Sequence, residues 1–107
     1  MSTTKATWQI EVNARTGPPG YADDETYYSD TFISFESAYW TYINEDFASK
    51  FAYLRSIRSI MLVYDDGKQT HKTDMCDLMS KNYKHDPQTT GVSEKEFREI
   101  EKRCRKF

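Results

Sequence analysis

A chain of 107 residues is sized for one domain around one hydrophobic core, so a single domain across residues 1–107 is expected. Hydrophobic residues make up 37%, charged 30% and aromatic 15%, which is polar yet too rich in rings for a disordered chain. The net charge of −2 argues against a broadly basic nucleic-acid-binding surface, and the longest apolar run, Ile60 to Tyr64, is far short of the ~18 residues of a membrane span.

The opening MSTTKATWQI has no charged-then-apolar leader pattern, which predicts a cytoplasmic protein. Charge is unevenly spread. Residues 1–30 carry two Lys/Arg against five acids, and residues 81–107 carry eight against five. An acidic front thus opposes a basic tail.

In TWQIEVNA, residues 7–14, Trp8, Ile10, Val12 and Ala14 alternate with Gln9, Glu11 and Asn13. A period of two with one wet face predicts a half-buried strand. TGPPG ends it, because consecutive prolines cannot donate to a ladder. Alternation returns in YYSDTFI, and a second strand is expected over residues 27–33. The period then lengthens. Phe35, Ala38, Tyr39, Tyr42, Ile43, Phe47, Phe51 and Leu54 draw a stripe at spacings of three and four, predicting one helix over residues 34–54 capped by Ser34.

An apolar strand over residues 57–64 meets Asp66-Gly67, whose positive φ angles suit a tight hairpin turn. The returning KQTHKT lacks large apolar residues and reads as an edge strand, with Lys68 and Lys72 discouraging unwanted pairing. DMCDLMSKNY suggests a short helix capped by Asp74, and KHDPQTTG a loop. The last helix is well marked. Ser93 and Glu96 have capping-box spacing, Val92 and Phe97 form a staple, and Phe97, Ile100, Cys104 and Phe107 face inward. The expected fold class is α+β: a small antiparallel sheet of about four strands in β-β-α-β-β-α order, with helices packed on one face.

The chemistry-bearing residues are few. His71, Cys76, His85 and Cys104 stand at spacings of five, nine and nineteen, without the close pair that a zinc site needs. No metal or other cofactor is expected, and reduced cysteines follow from the predicted compartment. No nucleophile elbow, phosphate loop or dinucleotide fingerprint is present, and Asp65 and Asp66 are explained by the turn they open, so no catalytic residue is assigned. The remaining signal is the segment GPPGYADDETYYSD. There Tyr21, Asp23, Asp24, Glu25, Tyr27 and Tyr28 interleave rings suited to interfaces with charges suited to steering.

These residues predict a non-catalytic protein-interaction module, with Asp65 and Asp66 at the hairpin tip as a second contact. The expected partner is a protein, in particular a basic nucleic-acid-binding enzyme. Small motif-poor chains of this kind fit viral or mobile-element accessory proteins that inhibit a host defence enzyme by occupying its surface. The alternative is a nucleic-acid-binding module using Arg98, Lys102, Arg105 and Lys106 on the last helix. No membrane partner is expected, and a homodimer would cover any apolar face left beside SIMLVY.

Overall fold

Alternation in the first strand decides the layering. In β1, Thr7–Thr16, the side chains of Trp8, Ile10, Val12 and Ala14 are buried and form the floor on which the helices sit. The computed structural model describes residues 6–105. β1 pairs antiparallel with β2 (Asp23–Tyr28) on one side and with β3 (Leu54–Asp65) on the other. β4 (Thr70–Asp74) pairs with β3, giving the sheet order β2-β1-β3-β4. Helices α1 (Phe35–Asn44), α2 (Met75–Leu78), α3 (Pro87–Thr90) and α4 (Glu94–Cys104) complete the α+β fold, with a 3-10 turn at Phe47–Lys50.

The main core lies between the sheet and the helices. Phe97 of α4 is its hub: its ring stacks on His85 at 4.5 Å and meets Phe35 at 5.7 Å and Tyr83 at 5.8 Å. Full burial of a side chain of this size contributes roughly 1.5–3 kcal/mol. Ser93 caps α4 by accepting the Glu96 backbone N–H, and Val92 is buried as the staple requires. A smaller cluster of Ile10, Val12 and Phe47 fills the β2 side of the same layer. Among the described residues no helix packs on the opposite face of the sheet. There Glu11 is nearly buried, held by Lys72 Nζ at 2.9 Å and Asn13 Nδ2 at 3.0 Å. Lys72, on the edge strand β4, thus anchors this carboxylate across the sheet face. Burial pushes the Glu11 carboxyl up, but those bonds and the Lys72 charge outweigh it and hold the group below its ordinary value.

Three expectations about the elements require correction. The second strand is Asp23–Tyr28, not residues 27–33. Ser29 ends it: its hydroxyl accepts the Ile10 N–H that a backbone carbonyl would otherwise take, and the chain rejoins β1 only as a bridge from Phe32 to Trp8. The helix over residues 34–54 stops at Asn44. Asp46 accepts the Ala48 N–H and starts a separate 3-10 turn, the competition that short polar side chains offer a helix. Phe47 and Phe51 then pack against Tyr27 instead of continuing a helical stripe. Finally, KHDPQTTG is not all loop: Asp86 caps α3, Pro87 takes its first turn, and Gly91 ends it at φ 77°.

The hairpin is also wider than a two-residue turn. Residues 66–69 connect the strands, and among them only Gly67 has positive φ. On α4, Phe97 and Ile100 are buried and Cys104 is half-buried, while Phe107 lies outside the described residues.

Candidate functional site

The end of the sheet where β1 leads into β2 is built on an irregular backbone. Twice along its pairing with β1, β3 carries an extra residue: the register passes from Ser59 to Ile57 opposite Asn13 and Ala14, and from Ser56 to Leu54 opposite Arg15 and Thr16. The two bulged residues are Arg58 and Arg55. A bulge re-aims the side chain it carries, and both arginines reach across the sheet end. Arg58 meets Asp24 of β2 at 3.2 Å, beside Arg15 at 3.5 Å from the same carboxylate. Arg55 donates to the carbonyls of Gly17, Pro18 and Tyr21 at 3.2, 2.9 and 3.4 Å.

The Pro18-Pro19 loop is thus pinned. A second clasp runs from the Gly17 N–H to the Tyr53 carbonyl at 3.0 Å. Gly17, at φ 131°, cannot be replaced, since a Cβ there would lie 1.8 Å from the Tyr21 carbonyl oxygen. Tyr53 is held at φ 55°, a left-handed backbone unfavourable for a bulky residue. Its side chain nevertheless points outward: Tyr53 is 70% exposed and Tyr21 76%. Two large rings therefore stand in solvent on backbone that is fixed from beneath.

The residues singled out by sequence divide accordingly. Tyr21 and Tyr28 are exposed, with Asp23, Asp24 and Glu25 beside them on β2. Tyr27 turns inward, packed against Phe47 and Phe51 with Lys50 over its ring, because its partner Val12 faces the core. Asp24 is engaged by Arg15 and Arg58, whereas Asp23 and Glu25 have no cation within 4.0 Å among the described residues. Asp65 and Asp66 lie at the far end of the sheet on the other side of β1. Their carboxylates cap the turn, accepting the N–H groups of Gly67, Lys68 and Gln69. The Gln69 and Lys68 bonds hold the Asp66 carboxyl below its usual value. The two acidic patches do not converge.

The cations of α4 are largely engaged. Arg98 binds Glu94 and Glu101, and Arg105 binds Glu101, while Arg103 ties α4 to α1 through two bonds to Glu36. Lys102 is exposed, and Lys106 lies outside the described residues. One arrangement has the outline of a catalytic relay: His85 Nδ1 faces Glu94 Oε2 at 2.9 Å and its Nε2 faces the Thr90 hydroxyl. Thr90 is wholly buried, however, and its carbonyl accepts the Trp8 indole N–H at 2.7 Å. A nucleophile needs a substrate beside it; this Thr is walled in, so the relay fastens the α3 loop to α4. Among the described residues no three His, Cys, Asp or Glu side chains gather as metal ligands, and Cys76 and Cys104 are unpaired. Among the described residues no helix is long and apolar enough to cross a membrane.

Arg55, Arg58 and Tyr53 were missed by sequence reasoning. The only trace of them was the polar, irregular start of the apolar run, LRSIRSI, where two arginines interrupt the alternation. No protein-family model, curated protein or solved structure matches this chain.

Proposed function

We propose that the chain is a non-catalytic protein-interaction module that docks a protein partner with the Tyr21–Tyr53 end of the sheet and the adjoining β2 strand. The observation that carries this reading is the pair of exposed tyrosines on clamped backbone. Binding costs entropy when side chains and loops must be ordered, and preorganisation removes much of that cost. Aromatic anchors set in fixed backbone are what interface hot spots are made of. Strain at Tyr53 supports the same reading, because an unfavourable backbone persists where the surroundings over-determine it.

Asp23 and Glu25 give the surface a sign. They favour a basic partner, and in the sharpest form of the proposal the chain occupies the surface of a nucleic-acid-binding enzyme and blocks it. Steering of this kind acts on association rate and is screened by salt.

The test is affinity capture from the native cell lysate, with a nuclease-treated arm and a Tyr21→Ala/Tyr53→Ala variant. A partner that survives nuclease and is lost, at least about tenfold weaker, with the variant agrees with hot-spot anchoring. A partner that vanishes with nuclease, or that binds the variant as well as the parent, refutes it. Asp23→Lys/Glu25→Lys should slow association at low salt, and an unchanged on-rate removes the steering role.

A further inference from the structure

β2 lies at an edge of the sheet, and the direction of its free backbone groups follows from one bond. The Ser29 N–H donates to the Ile10 carbonyl at 2.9 Å, one step beyond the Glu11–Tyr28 pair. In an antiparallel ladder, bonded and non-bonded pairs alternate. Tyr27, Glu25 and Asp23 therefore bond to β1, while the N–H and C=O groups of Tyr28, Thr26 and Asp24 point away from the sheet. The side chains agree: the Asp24 N–H, with no strand to meet, is taken up by the neighbouring Asp23 carboxylate at 3.0 Å. Among the described residues no backbone bond reaches Thr26 or Tyr28 from outside.

We infer that the outer edge of β2 accepts an extended segment of a basic partner as a fifth strand, and that this segment alternates cationic with uncharged polar or aromatic residues. The inference rests on the interaction reading above and names its mode. Main-chain bonds to an open edge supply affinity, and side chains at alternate positions supply specificity. The charge pattern of β2 fixes which positions are which. Asp23 and Glu25 share the helix-side face with Tyr27, and among the described residues neither has a cation within 4.0 Å. Asp24 lies on the opposite face, already satisfied by Arg15 and Arg58, with Thr26 and Tyr28 beyond it. Cations on the incoming strand are thus favoured on the first face and disfavoured on the second, where Arg15 and Arg58 sit. A second copy of this chain fits less well: the antiparallel self-pairing centred on Thr26 sets Asp24 against Tyr28 and Glu25 against Tyr27, and brings no cation to Asp23 or Glu25.

The probe is a synthetic seven-residue peptide alternating lysine with threonine or tyrosine, titrated into the full chain and followed by amide chemical shifts and by fluorescence anisotropy. Two controls carry the same charge: one with backbone N-methyl groups on alternate residues, one with its lysines contiguous. The expected result is shifts at the Thr26 and Tyr28 amides, binding at least tenfold weaker for both controls, and loss of binding by Thr26→Pro. That variant keeps the β1 ladder, since the Thr26 N–H faces outward. Equal binding of the N-methylated peptide, or shifts confined to residues away from β2, overturns the inference. A partner captured by the parent chain and retained by Thr26→Pro, but lost by Tyr21→Ala/Tyr53→Ala, would sink the added strand while leaving the docking surface in place.

Discussion

Gly91 is packed closely against two aromatic rings, and replacing it by alanine separates two physical costs. Gly91 sits at φ 77° at the end of α3, and a Cβ there would lie 2.7 Å from the Tyr64 ring and 2.9 Å from Trp8 Cζ2. The left-handed backbone costs alanine roughly 1–2 kcal/mol. Overpacking adds about 1–3 kcal/mol, because Trp8 cannot withdraw: its indole N–H is fixed to the carbonyl of Thr90, the residue next door. Tyr64 is half-buried, stacked on Trp8 at 5.2 Å and on His71 at 5.8 Å, and has more room to give. The sum, about 2–5 kcal/mol, is a large share of the stability of a domain this size. It should lower the melting temperature by roughly 10 °C or more. Urea melts of Gly91→Ala, Gly91→Asn, Tyr64→Leu and the Tyr64→Leu/Gly91→Ala double variant would assign the parts. Asparagine tolerates the left-handed region but keeps the Cβ, so it should recover the backbone part only. Removing the Tyr64 ring should recover part of the overpacking, giving a non-additive cycle. A Gly91→Ala chain within about 0.5 kcal/mol of the parent would refute both terms, and strict additivity with Tyr64→Leu would refute the clash.

Other outcomes follow from single groups. The Tyr39 hydroxyl is buried and among the described residues no group meets full hydrogen-bond geometry with it, although the Arg105 guanidinium lies close by; burial, with Glu101 nearby, outweighs Arg105 and pushes its pKa up to about 12. Tyr39→Phe should be neutral or stabilising by up to about 1 kcal/mol in urea melts, and a clear loss would mean the hydroxyl has a partner. Glu11, whose carboxyl is lowered in the fold, contributes stability that is present above its unfolded value and lost as pH falls through its folded one. Glu11→Gln should therefore lose less stability than the parent between pH 7 and pH 3; equal losses would contradict the Lys72 pairing. Tyr53→Gly relieves the backbone at φ 55° and should hold or raise the melting temperature while weakening partner capture; weaker capture with an equally lowered melting temperature would point to a merely structural residue. Ser93→Ala should cost about 1 kcal/mol through the lost cap on α4, read as a lower urea midpoint.

Much of this protein is written in short-range pattern. The alternation of Trp8, Ile10, Val12 and Ala14 placed the helix-bearing face of the sheet, and the Ser93 cap with Phe97 and Ile100 placed α4, because periodicity and capping are properties of neighbouring residues. The α3 turn carries local signals too, in Asp86-Pro87 and Gly91, yet its segment reads as a loop because a single turn spanning six residues from cap to closing glycine is too short to show a period. What sequence could not decide was pairing across distance. Asp23, Asp24 and Glu25 read as one acidic patch, yet sheet register sets Asp24 against Arg15 and Arg58 and leaves its neighbours open on the other face. Tyr27 and Tyr28 look alike in the chain, but a strand sends adjacent residues to opposite sides, so one joins the core and the other meets solvent. The two bulges that aim Arg55 and Arg58 exist only because β3 runs against β1, a long-range contact that no window of sequence contains. Local propensity chose the elements; the register between strands distant in sequence decided which charges and rings remain free.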